Sequence, residues 1–391
     1  MQRMQRRSLV LAILLAAGCN DAVETTAPSE HPSRLRIRIA VADRDAPSLV
    51  IYDVADRELA ATLSLDAPAE ALVASQSGDT ALALSGGRAQ VVVGGVAIIP
   101  HKDHIHIFKS RPSLLGAAVV RPGAVTTTFA EGKWGLFFAG EEGSASTALT
   151  LSESAWMRGT HEAVEVARAD PHRGFVVSVG GEMHASRAQE IVAGGLECHE
   201  ITAAASAGSI AVLACREGIV IAEPGVPARS PIALPAGMRP GALVAQARTP
   251  FAIARDAERV ALIDLDAGTA VELSFVSGAC EVTLETGTEP RVVALTSAGT
   301  LEVVDLPGLA RRSFPATPAH ACSDRARPRL VASPGRAWVT VPTRGTVDEI
   351  DTASGVVLRA IPVGGVPGAI ALLGLEARNA DLAAGNDALT D

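Results

Sequence analysis

Short apolar runs of Val, Ile, Leu and Ala alternate with breaks of Gly, Pro, Asp and Ser along almost the whole chain. Leu49–Tyr52, Ala211–Ala214, Val260–Ile263, Arg291–Ala294 and Ala337–Val341 are such runs. Runs of this length, closed by turn residues at regular spacing, predict antiparallel strands. No amphipathic helical period is evident before Leu373. The pattern therefore predicts an all-β protein.

The runs repeat as a unit. An apolar stretch ends in Asp, a turn follows, and a second short strand comes next. Ser48–Asp53 leads into Leu59–Leu65, Arg259–Asp264 into Ala270–Phe275, Thr300–Asp305 into Arg311–Phe314, and Thr346–Asp351 into Val356–Ile361. A period of about 40–45 residues with four strands in each unit is the signature of a β-propeller. The repeated Asp needs no function, because its carboxylate can accept hydrogen bonds from its own turn.

Eight modules can be drawn, over 34–66, 70–121, 124–169, 172–197, 198–236, 240–277, 279–316 and 326–364. Eight four-stranded blades are thus expected, with seven as the alternative count, because the fourth module is short. The first module lacks an inner strand, and the final run Gly368–Leu373 can supply it. Such a closure leaves no open sheet edge.

The first residues change the picture of location. Arg3, Arg6 and Arg7 form a basic start, Ser8 to Ala17 an apolar run, and Gly18-Cys19 follows. This is the layout of a secretory signal, too short to span a bilayer. Leu15-Ala16-Ala17-Gly18-Cys19 reads as a bacterial lipobox, with Cys19 the lipidated first residue of the mature chain. Asn20 rather than Asp follows it, which points to the outer membrane. The expected organisation is a signal peptide at 1–18, a polar tether at 19–33, a propeller at 34–374 and a tail at 375–391.

A formal net charge of −9 argues against nucleic-acid partners. Four cysteines remain after Cys19: Cys198, Cys215, Cys280 and Cys322. An even number in an exported chain reads as disulfides, with three pairings open in principle. Sequence proximity and repeat placement favour Cys198–Cys215 and Cys280–Cys322. A thiolate metal site lacks any CxxC spacing.

The segment richest in candidate chemistry is Pro100–Phe108, which holds His101, Asp103, His104 and His106. On an extended chain residues two apart face the same way, so His104 and His106 project together. His101 and Asp103 join them if the segment bends. Neutral imidazoles with a carboxylate suit Zn²⁺, which takes about four ligands. The same residues also suit a polar surface loop. His172, His199 and His320 each stand just before an expected first strand. No GxSxG elbow, nucleotide-binding glycine loop or inward carboxylate set at successive blade starts is present, so the chain is read as a non-enzyme.

Taken together these residues are similar to those of the AztD-type periplasmic zinc metallochaperones, β-propellers that hand zinc to the solute-binding protein of an ABC importer. Asp103-His104-Ile105-His106 resembles the family's DHxH-like loop, and Pro112-Ser113-Leu114-Leu115 the stretch after it. Gly132–Gly140, Pro171-His172-Arg173-Gly174, Cys198-His199-Glu200 and Cys215–Gly218 resemble later family elements. The resemblance implies a propeller with His104, His106 and His199 as zinc ligands and His172 nearby. It also implies a Cys198–Cys215 disulfide and a zinc importer's binding protein as partner. The competing expectation is a metal-free propeller scaffold at the cell envelope.

Overall fold

The computed structural model describes residues 37–374, apart from 76, 101–104, 122, 124, 131, 140–145, 158–163, 170–173, 180–181, 188–197, 199–200, 208–209, 223–228, 247–248, 258, 276 and 286–288. The expected leader, tether and tail, with Cys19, lie outside the described residues. Among the described residues no helix is long and apolar enough to cross a membrane.

The strands are antiparallel and assemble as a propeller. Blade 1 joins Ile37–Asp43, Ser48–Asp53 and Glu58–Ser64 to the C-terminal strand Pro367–Gly374. That strand pairs with Ile37–Asp43 in the register Arg38↔Leu373 to Val41↔Ile370, so the ring closes as the sequence predicts. Blade 2 runs from Ala71 to Val120, blade 3 from Val125 to Ala169 and blade 4 from Ala203 to Ala222. Blades 5, 6 and 7 span Ala242–Leu273, Ala279–Pro315 and Leu330–Pro362. Blade 4 has three described strands, and an isolated Ile219↔Ile232 bridge stands at its outer edge.

The fourth module departs from the expectation of eight full blades. Its described strands, Gly174–Val179 and Glu182–Arg187, form a two-stranded hairpin. A segment as short as 172–197 has too few residues for four ordinary strands and their turns. The inner strands of blades 3 and 4 meet directly, with Thr128 Oγ1 donating to Ser206 Oγ at 3.1 Å. Among the described residues the ring has seven blades of three or four strands, with the hairpin packed against the inner strands of blades 3 and 4.

The hydrophobic core lies in the seams between blades. Ala40, Leu49 and Ile51 of blade 1 pack with Leu72, Ala81 and Val92 of blade 2. Ile253, Val260 and Leu262 of blade 5 pack with Leu284, Val292 and Val304 of blade 6. In blade 6 the second and third strands are buried on both faces, which is why they read as continuous apolar runs. Each fully buried Leu, Ile or Val contributes about 1.5–3 kcal/mol. Outer strands such as Val357–Pro362 are largely exposed on one side.

Two ends of the ring can be told apart. At the start face the innermost strands begin; at the end face they finish. Asp53, Asp264 and Asp351 terminate third strands at the end face. Each accepts two backbone N–H groups from its own turn, as the repeat predicts. Asp305 is different: it accepts from Arg291 and Arg312 instead.

Candidate functional site

The segment with the clustered histidines is an insertion in blade 2. Its third strand, Arg88–Val93, does not turn directly into its fourth, Ser113–Val120. Between them a hairpin pairs Val96–Pro100 with Ile105–Lys109. The register places His106 opposite Ile99. His101, Asp103 and His104 lie outside the described residues. The hairpin leaves the blade at the end face, where Val93 pairs with Thr80.

The base of the hairpin is strongly held. Arg38, the second residue of its strand, is almost fully buried. Its Nη1 donates to Gly94 O at 2.7 Å, Gly95 O at 3.1 Å and Ser110 O at 2.8 Å. Its Nε donates to Asp53 Oδ2 at 3.1 Å. Lys109, the last residue of the hairpin, reaches Asp53 at 3.0 Å and Asp56 at 2.5 Å. Burial pushes the Asp53 carboxyl up, but the Asp56 N–H, Lys109 and Arg38 together outweigh it and hold the group below the ordinary aspartate range.

Gly95 shows why the chain has glycine at this point. Its φ is +69°, and a Cβ there would stand 2.4 Å from Ser110 O and 2.6 Å from Arg38 Nη1. The guanidinium occupies the space a side chain would need.

His172 and His199 lie outside the described residues. The residues flanking His199 are placed. Cys198 is bonded to Cys215, which ends the second strand of blade 4 at the start face. Cys215, Arg216, Met238 and Arg239 line a cavity of about 300 Å³ there. The Cys198–Cys215 disulfide is thus at the start face, whereas the hairpin leaves blade 2 at the end face. His320 also stands at the start face, with Nδ1 3.2 Å from Pro318 O. Among the described residues, no three His, Cys, Asp or Glu side chains are grouped to hold a metal.

Both expected disulfides are present, Cys198–Cys215 and Cys280–Cys322. Sequence reading missed Arg38. A signal existed: Arg38, Arg291 and Arg336 stand 15, 14 and 15 positions before Asp53, Asp305 and Asp351, and each forms the cross-strand ion pair.

No family model matches the chain. The zinc chaperone AztD of Citrobacter koseri is 32% identical over 144 residues, 36% of this chain and 32% of that protein. The match thus spans about a third of the relative's length. In fold the likeness is broader. A crystal structure of Citrobacter koseri AztD superposes with a TM-score of 0.74 at 21% identity, covering 86% of this chain and 97% of the other. The apo AztD structure gives 0.73 at 21% identity, covering 86% and 98%. A functionally unknown protein from Desulfotomaculum acetoxidans gives 0.52 at 8% identity, covering 86% and 99%. Similar in sequence to a zinc chaperone over about a third of its length, the chain shares the β-propeller fold of the AztD structures over most of it.

Proposed function

We propose that this protein is an exported zinc carrier that takes up the ion on the blade 2 hairpin and passes it to a transport partner. The observation that carries the reading is the insertion itself: a seven-bladed ring interrupts one blade with a two-stranded arm bearing three histidines and an aspartate. His101, Asp103, His104 and His106 supply a nitrogen- and oxygen-donor set of the number and type zinc takes. A single short segment can offer and withdraw such donors, which suits an ion meant to be released. His172 and His199 are the candidates remote from this segment in the sequence.

The partner in this reading is the solute-binding protein of a zinc ABC importer, as the family resemblance implies; the name of the matched relative, a zinc chaperone, supports a zinc cargo. Two disulfides fit an oxidising compartment. Lipidation of Cys19 would hold the ring at the periplasmic face of a membrane, the outer one by its Asn20.

Competition with a chromophoric zinc chelator tests the reading. The mature chain should strip zinc from the chelator and then lose it to a purified zinc-binding receptor. His199→Ala should leave most of the uptake, and a His104→Ala, His106→Ala double variant should have none. A chain that leaves the chelator fully loaded is a metal-free scaffold.

A further inference from the structure

We propose that Arg38, with Asp53 and Lys109, is a positioning clamp that fixes the base of the histidine hairpin to the neighbouring blade. The inference rests on the hairpin's role as the zinc arm for its functional meaning, and on geometry alone for its existence.

The clamp is a repeat feature put to a second use. In blades 6 and 7 the equivalent arginines serve their own sheets and immediate surroundings. Arg291 pairs with Asp305, Glu285 and Glu289. Arg336 pairs with Asp351 and Glu349 and donates to the adjacent Gly335 O. In blade 1 the same cross-strand pair, Arg38 with Asp53, faces the neighbouring blade. Its guanidinium ties three carbonyls that bracket the hairpin, two before its first strand and one after its second. Asp53 then takes Lys109, the hairpin's last residue, on the oxygen that also serves Arg38. Both strands of the arm are therefore fixed at the root by one buried ionic group.

Arg38 and Asp53 have side chains 7% and 3% exposed, so the attraction is little screened by water. Planar guanidinium geometry lets one residue serve a carboxylate and several carbonyls, which a lysine cannot reproduce. Gly94 and Gly95 admit the group. A Cβ on Gly94 would meet Leu373 Cβ at 2.9 Å, and one on Gly95 would meet Arg38 itself. The arm's root is thereby fixed against the ring closure strand as well. Groups that orient metal ligands without touching the ion commonly set affinity and release.

The test compares three single variants of the mature chain: Lys109→Gln, Arg38→Lys and Arg336→Gln. Lys109 is partly exposed, so its loss leaves the fold intact. Arg336 is the equivalent arginine far from the hairpin in sequence and controls for loss of an ion pair as such. In metal-free protein, amide hydrogen exchange over Val96–Lys109 should accelerate about tenfold in Lys109→Gln and Arg38→Lys. Arg336→Gln should leave that segment at the wild-type rate. Zinc affinity should fall about tenfold in the first two variants and hold in the third. Unchanged hairpin exchange in both Lys109→Gln and Arg38→Lys overturns the clamp, as does equal loosening in Arg336→Gln. Wild-type protein that takes up no zinc defeats the carrier reading, and the exchange measurement still decides the clamp.

Discussion

The two faces of the ring share ionic pairs and Asp-folded turns but differ in their covalent ties. The start face carries both disulfides: Cys198–Cys215 on blade 4, and Cys280–Cys322 tying the first strand of blade 6 to the connection that follows its last. Arg255 Nη1 adds a 2.5 Å bond to Cys280 O, and Arg327 and Arg329 share Glu281. The end face has no disulfide among the described residues. It is held by arginine–aspartate pairs, by turns that fold onto their own Asp, and by the buried Glu285, which accepts from Gly335 N of blade 7 at 2.7 Å. The covalent face lies opposite the root of the histidine arm. An ionic root holds an arm firmly while leaving it free of a covalent tie, which suits a segment that must exchange an ion.

The difference can be broken from either side. Replacing Cys280 and Cys322 by serine opens a loop spanning 42 residues and should cost about 4 kcal/mol in denaturant unfolding. Replacing Cys198 and Cys215 opens one of 17 and should cost about 3 kcal/mol. Reductant should reproduce both losses and leave hairpin exchange unchanged.

On the end face, Arg38→Met takes the buried arginine from Asp53, leaving it Lys109 and its turn N–H groups, and should cost about 3 kcal/mol. Arg336→Gln acts on a pair that is about one quarter exposed, so screening reduces its cost to about 1 kcal/mol. Equal losses in the two variants would show that blade 1 gains nothing special from the buried pair.

The smallest effect is in pH. Asp53 and Asp351 have carboxyl groups held below the usual range: burial raises both, and hydrogen bonds and arginine or lysine charge outweigh it. The stability they add is present above the ordinary aspartate value and is lost as pH falls through their depressed values. Glu285 runs the other way, since burial raises it more than Gly335 and Arg291 lower it. Its protonated form favours folding, and that contribution fades as pH rises through the raised value. Acid titration of unfolding should therefore show less loss in Asp53→Asn than in wild type, and Glu285→Gln should flatten the opposite slope. Identical acid profiles for Asp53→Asn and wild type would remove Asp53 from the account.

Local rules made much of the fold legible. Apolar runs gave strands, the recurring Asp gave its turn, and the unpaired first module called for Gly368–Leu373 to close the ring. The disulfides followed from proximity. The fourth module was harder, because its short hairpin packs against the inner strands of blades 3 and 4, which stand far from each other in the chain. Arg38 was legible as one of a repeated pair with Asp53, but not as the anchor of the hairpin. Its carbonyl partners lie 56, 57 and 72 positions away, with no periodic trace. The histidines of the arm were read from their clustering and two-residue spacing, and His106 is the one whose strand register the structure gives.

The central claim is that the arm of blade 2 binds zinc. Isothermal calorimetry of the mature chain with Zn²⁺, run beside the His104→Ala, His106→Ala double variant, tests it most directly. The account predicts about one ion per wild-type chain, as a four-donor zinc site implies, and no uptake by the variant. Equal heats from both proteins, or none from the wild type, would contradict it.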